Sequence, residues 1–149
     1  MGTYVLKPKD IEEKWHVVDV AGRPLGRVAS EIAATLRGKN RPTFSPSMGN
    51  GDFVIVLNAA KVKITGDMVE KKYYRHSMYP GGLKSITQEK LLATRPERVL
   101  QYAIKGMLPH NAHGAKLLKH LKVYAGADHP HQSQVNAGKG KSTPAEVTA

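Results

Sequence analysis

Cysteine is absent from this 149-residue chain, which excludes disulfides and every thiolate metal site. No apolar run approaches the roughly 20 residues that a membrane span needs. The longest, FVIVL at 53–57, is strand-sized, so a soluble protein is expected. The N-terminal stretch MGTYVLKPKDIEEKW lacks an apolar signal core and contains Asp10, Glu12 and Glu13, which speaks against secretory and transit peptides. Met-Gly opens like a myristoylation signal, but Leu6 stands where Ser or Thr is required. A cytoplasmic location is the simplest expectation. Acidic residues are scarce: 12 Asp and Glu face 23 Lys and Arg, a formal net charge of +11. The excess is spread along the chain, with 10 basic and 6 acidic residues in 1–66 (+4) and 13 and 6 in 67–149 (+7). Such self-repulsion is best tolerated beside a polyanion, so nucleic acid or an anionic membrane surface is the expected partner.

Catalytic and nucleotide-binding motifs are missing as well. In VVDVAGRPLGRVASEIAATLRG, residues 17–38, a strand, a glycine-bearing turn and a helix follow one another as they do in nucleotide sites. Gly22 and Gly26 stand four apart with no third glycine, so the dinucleotide fingerprint is absent. A P-loop needs four residues between its glycines and then Lys and Ser or Thr; here there are three, followed by Arg27 and Val28. Two readings remain: a tight strand-to-helix connection, or a turn whose Arg23 and Arg27, at a helix N-terminus, hold phosphates of a large polyanion. Seven histidines include His110, His113, His120, His129 and His131, but without cysteine or an HEXXH pattern no metal site is expected. No G-x-S-x-G elbow supports a hydrolase. Asp19, ending the first strand, sits where α/β enzymes often keep a catalytic carboxylate, although a turn-capping carboxylate is the commoner use.

Hydrophobic periodicity supplies the architecture. WHVVDV (15–20) reads as a strand covered on both faces, because its apolar residues are continuous. Pro24 suits a helix start; Leu25, Val28, Ala29, Ile32, Ala33 and Leu36 share one face of that helix, and Gly38 suits its left-handed cap. GKNRPTFSPSMGNGD (38–52) is expected to be an irregular, exposed loop. Residues 53–58 form a second apolar strand, parallel to the first across the helix. Val62–Thr65 alternates, KKYYRH (71–76) reads as an exposed strand, and YPGGLK (79–84) as a flexible loop. Ser85 followed three residues later by Gln88 resembles a capping box, Pro96 opens another helix, and Val99, Leu100, Ala103, Ile104, Met107 and Leu108 share its core face before Pro109 stops it. A short basic helix over 112–120 and a last strand over 121–124 complete an α/β domain with a partly parallel sheet. Residues 1–134 are expected to make one domain with extended loops, and 135–149 a disordered tail.

The strongest constellation is cationic residues beside aromatics and glycines: Arg37, Lys39 and Arg41; Lys71, Lys72, Tyr73, Tyr74, Arg75 and His76; Tyr79 and Lys84; Lys116, Lys119 and Lys122. Lys and Arg neutralise phosphates, aromatic faces stack on unpaired bases, and glycines admit a sugar-phosphate backbone. Several separate patches suit a folded RNA.

These segments also carry a resemblance. WHVVDVAGRPLGRVAS, LRGKNRPTFSP, GDFVIVLNAAKVKITG, YYRHS followed by YPGGLK, RPERVLQYAIKGMLP and LKVYAGADHPH occur in the order of the large-subunit ribosomal protein family numbered thirteen, in its bacterial form. The resemblance spans roughly residues 12–134. It implies a three-layer α/β/α domain around a short, mostly parallel sheet. It also implies a structural component of the large ribosomal subunit that binds large-subunit ribosomal RNA, adjoins neighbouring ribosomal proteins and acts early in assembly, without enzymatic activity, cofactor or small-molecule substrate. With His110, and with Arg23 and Arg27 holding phosphate on the physical reading of their turn, the cations and aromatics above other than Tyr73 make up the expected RNA-contacting set. Met78 stands where the family usually has Gly, His110 and His120 where it usually has Lys, and Ala115 where it usually has Arg. The alternative is a cytoplasmic α/β enzyme acting on an anionic or nucleotide-like substrate.

Overall fold

β-Branched residues favour a pleated, buried surface, and two such runs form neighbouring parallel strands. In the computed structural model, which describes residues 6–67 and 70–139, β1 (Trp15–Asp19) pairs in parallel with β2 (Phe53–Leu57), Trp15 opposite Phe53 and Asp19 opposite Leu57. β5 (Leu121–Val123) pairs with the other side of β2, giving the order β1-β2-β5. Val54, Ile55 and Val56 are completely buried. At about 1.5–3 kcal/mol for each fully buried aliphatic side chain, β2 is the centre of the body.

Paired residues of a sheet point to the same face and alternate along each strand. Val18, Val20, Val54, Val56, Leu121 and Val123 therefore share one face, and they meet the apolar stripes of three helices. These are α1 (Leu25–Arg37), contributing Val28, Ala29, Ile32, Ala33 and Leu36; α3 (Pro96–Met107), contributing Leu100 and Ile104; and α4 (Ala112–Lys119), contributing Leu117. The opposite face is covered by rings. Trp15 stacks on Phe53 at 4.4 Å, Phe53 on His120 at 4.2 Å, and His131 tilts over Trp15 at 5.4 Å while its Nε2 bonds the Tyr124 hydroxyl at 2.8 Å. That aromatic contact brings α5 (Gln132–Lys139) against β1.

The remaining strands, β3 (Lys72–His76) and β4 (Leu83–Thr87), form an antiparallel hairpin outside the parallel sheet. It runs directly into α2 (Gln88–Thr94), whose Thr87 cap accepts from the Lys90 amide at 3.4 Å. The architecture is thus α/β, with a parallel three-stranded sheet and a separate small hairpin.

Several expectations change. β1 is an edge strand, and Val17 is 42% exposed, so its continuous apolar run does not mean cover on both faces. Leu83 and Lys84 belong to β4 in place of a loop, and Ser85 lies within that strand; the cap is Thr87. Val62–Thr65 forms no strand and makes a single bridge, Lys63 to Pro24. Met107 is 45% exposed because it stands at the end of α3, beside Arg37 and Lys39 of the chain leaving α1. Helix α5 continues past 134, the expected domain limit, to Lys139; the rest of the expected tail, 140–149, lies outside the described residues.

The loop over 38–52 is irregular, but its end is buried. Gly38 takes the left-handed conformation, φ 75°, closing α1. Asn50, Gly51 and Asp52 then pass so close under α1 that a Cβ on Gly51 would overlap the Leu36 carbonyl. Asp52 fastens the loop to β1: it accepts from the Lys14 amide and His16 Nε2, both at 3.0 Å, and from the Arg41 guanidinium. Arg41 also donates to Asn50 Oδ1 at 3.0 Å. Burial pushes the Asp52 carboxyl upward in pKa, but the His16 and Lys14 bonds and the Arg41 charge outweigh it and hold the group below its ordinary value.

Candidate nucleic-acid interface

The hairpin gathers the largest share of the cations and aromatics singled out in the sequence. Its register places Tyr73 opposite Ile86 and Arg75 opposite Lys84 on one face; Lys72, Tyr74, His76, Leu83 and Ser85 lie on the other. Only the base of the first face touches the body. Tyr73 and Ile86 are half-buried, and Tyr73 packs on Tyr102 of α3 with ring centroids 5.3 Å apart. Burial, and then Tyr102, raises the Tyr73 phenol above its usual pKa, so it stays neutral. Lys71 lies over the Tyr73 ring at 5.7 Å. Beyond that anchor, Lys72, Tyr74, Arg75, His76, Tyr79 and Lys84 are all exposed. His76 Nδ1 accepts the Met78 amide at 3.0 Å, which leaves Nε2 as the ring's outward donor.

A second group forms around the turn 21–27. The amide of Gly22 bonds the Lys61 carbonyl at 2.9 Å, that of Lys63 bonds Arg23 at 3.0 Å, and that of Leu25 bonds Lys63 at 2.9 Å. This ladder brings Lys61 and Lys63, both exposed, alongside the backbone of the turn at Gly22 to Leu25. Sequence reasoning passed over these two lysines, because a bridge between segments about forty residues apart leaves no local signal. Arg23 is partly engaged, bonding Glu31 at 2.7 Å, whereas Arg27 is exposed and makes no ion pair among the described residues. Asp19 caps the same turn: Oδ1 accepts from the Ala21 amide at 3.0 Å and from Asn58 Nδ2 at 2.9 Å. Those two bonds, the Ala21 bond foremost, lower its pKa. This is a turn carboxylate, not one held free for catalysis.

The other residues are dispersed. Arg37 lies over Phe44 at 5.9 Å and Lys39 is exposed, lining a shallow groove with Met107. Arg41 is turned inward on Asn50 and Asp52, with 19% of its side chain exposed, so its donors face the loop and not solvent. Lys116 and Lys119 stand exposed in the last turn of α4, favourably placed at the negative end of the helix dipole. His110 is exposed before that helix, and Lys122 is half-buried on β5. His120 lies flat against Phe53 with Nδ1 buried and unpaired, so it serves packing on the aromatic face.

No group of three or more potential metal ligands forms among the described residues. The cleft between β1 and α1, about 250 Å³ and lined by His16, Glu31, Thr35, Asn40 and Asp52, has its His–Asp pair tied into the Arg41 clasp.

A family model described as "Ribosomal protein L13" matches residues 13–130 of the chain. The large ribosomal subunit protein uL13 of Symbiobacterium thermophilum is 57% identical over 133 residues, 89% of this chain and 93% of its own length. That of Thermus thermophilus is 56% identical over 135 residues, covering 90% and 95%. That of Aquifex aeolicus is 53% identical over 150 residues and covers both chains completely.

Proposed function

The chain belongs to the ribosomal protein L13 family, and from that premise we infer that it is a structural constituent of the large ribosomal subunit in the cytoplasm, binding large-subunit ribosomal RNA and supporting early assembly of the subunit. The observation that carries this reading is the family match over nearly the whole folded body. The family is a structural one, so the α/β-enzyme alternative is set aside. Neighbouring large-subunit proteins are its further partners.

At residue level the RNA contacts fall to side chains that the fold leaves outward. Lys72, Arg75 and Lys84 of the hairpin, Arg27 with Lys61 and Lys63 at the turn, and Lys116 with Lys119 on α4 supply separated phosphate contacts. Dispersed cations suit an RNA that folds around the protein and touches it from several directions. Binding dominated by such contacts weakens steeply with salt. For about five or six neutralised phosphates, the slope of log affinity against log salt is on the order of −4 to −5 in a filter-binding titration. A slope near zero would overturn the phosphate assignment, and absence of the chain from gradient-purified large subunits by mass spectrometry would overturn the ribosomal reading itself.

A further inference from the structure

The hairpin carries apolar surface as well as charge. Tyr74, Met78, Tyr79 and Leu83 are 65%, 88%, 75% and 62% exposed, so the large exposed hydrophobics concentrate in one short projection. At its tip the backbone is forced: Met78 has φ 71°, a left-handed conformation rare for a residue with a side chain. Three bonds hold it there, Met78 N–H to His76 Nδ1 at 3.0 Å, Ser77 N–H to the Gly82 carbonyl at 3.1 Å and Gly82 N–H to the Tyr79 carbonyl at 2.9 Å. The result thrusts Met78 and Tyr79 into solvent, the reverse of what burial of apolar surface would favour.

A second observation says what covers them. Arg75 and Lys84 are directly opposite in the antiparallel register, a like-charge pair that repels across the strands. Neither makes an ion pair among the described residues, and no Asp or Glu occurs between Glu70 and Glu89. A phosphate placed against the two side chains removes that repulsion. Apolar tip and cationic stem together fit a polyanion that also offers flat apolar faces. In an A-form duplex the bases are stacked on one another, whereas unpaired nucleotides present open faces to aromatic side chains.

We propose that the β3–β4 hairpin is a reader of unpaired nucleotides, with Tyr79 and Met78 packing on exposed bases of large-subunit ribosomal RNA and Arg75 and Lys84 gripping the adjoining phosphate. This rests on the ribosomal-RNA reading above and specifies the form of RNA that one element takes.

The test uses the full-length chain and large-subunit ribosomal RNA transcribed in vitro. Tyr79→Ala is expected to weaken binding about tenfold while leaving the salt slope unchanged, since stacking involves no counterion release. Tyr79→Phe retains near wild-type affinity. Arg75→Ala lowers the steepness of the slope by about 1. Photo-crosslinking from a benzophenone side chain at position 79 is expected to reach a few unpaired nucleotides. Equal affinity of folded Tyr79→Ala and wild type would overturn the proposal. So would crosslinks confined to duplex RNA or, in assembled subunits, to a neighbouring protein. Failure of the wild-type chain to bind the RNA at all would instead bring down the parent reading.

Discussion

β2 and β3 are both five-residue strands, yet they do opposite work. In β2 three consecutive valine and isoleucine side chains are completely buried, because alternate residues enter packed layers on both sides of the sheet. In β3 only Tyr73 is even half-buried, and the cations and Tyr74 point outward. The difference teaches that, in these two strands, stability and recognition are housed apart. A substitution in the hairpin should be nearly silent in stability, whereas one in the core reaches recognition only through loss of the fold.

The heaviest blow to the body is Ile104→Ala, which empties a completely buried position in the main core. Denaturant unfolding should show a loss of about 2–5 kcal/mol, and subunit incorporation should fail through folding. An unchanged midpoint would mean that the face of α3 was wrongly assigned. Next comes Arg41→Ala, which strips the Asp52 clasp of its cation and Asn50 of a donor. A loss of about 1–3 kcal/mol is expected by the same measurement, because a mostly buried carboxylate is left short of partners. If Arg41 were chiefly an RNA contact, folding would be untouched and RNA affinity alone would fall.

The clasp also predicts an acid sensitivity. The Asp52 pKa is lowered in the folded state, so its stabilising contribution is present above the ordinary carboxylate pKa and is lost as pH falls through the lowered value. Asp52→Asn should therefore flatten the decline of unfolding free energy on acidification, most visibly below about pH 4. An identical pH profile in variant and wild type would show that the loop is held by other means. The smallest effect on folding belongs to the hairpin: Lys72→Ala with Arg75→Ala should change stability by no more than about 0.5 kcal/mol while reducing incorporation in competition with tagged wild type. Equal incorporation of the folded double variant would make the hairpin charges merely solvated guards of an edge.

Much of the body was legible because its signals are local. The stripe from Leu25 to Leu36, the Gly38 cap, the apolar run of β2 and the Pro96 helix start each depend on residues within a few positions. What escaped depends on partners outside the segment in which each residue is read. Leu83 and Lys84 look like the end of a glycine loop until they pair with His76 and Arg75. Arg41 looks like a free cation until Asp52 meets it, and Lys61 and Lys63 acquire meaning only when the turn 22–25 lies alongside. The short helix over 132–139 has weak periodicity and is held through His131 against Trp15 and Tyr124. Strand alternation divides the hairpin into two faces, but which of them docks is set by Tyr102, far away in sequence.

The strand order β1-β2-β5 has a consequence in time. A chain made from its N-terminus presents β1 and β2 long before residues 121–123 exist to complete the sheet. Until then the fully apolar β2 lacks one hydrogen-bonded neighbour, and its open edge is a site for wrong pairing with another chain. The hairpin, closing residues 72–87 upon themselves, needs only a local encounter on the order of microseconds. The cation-bearing arm thus draws on local pairing alone, whereas the edge of β2 is covered only by a non-local pairing with β5, the kind of contact that forms more slowly.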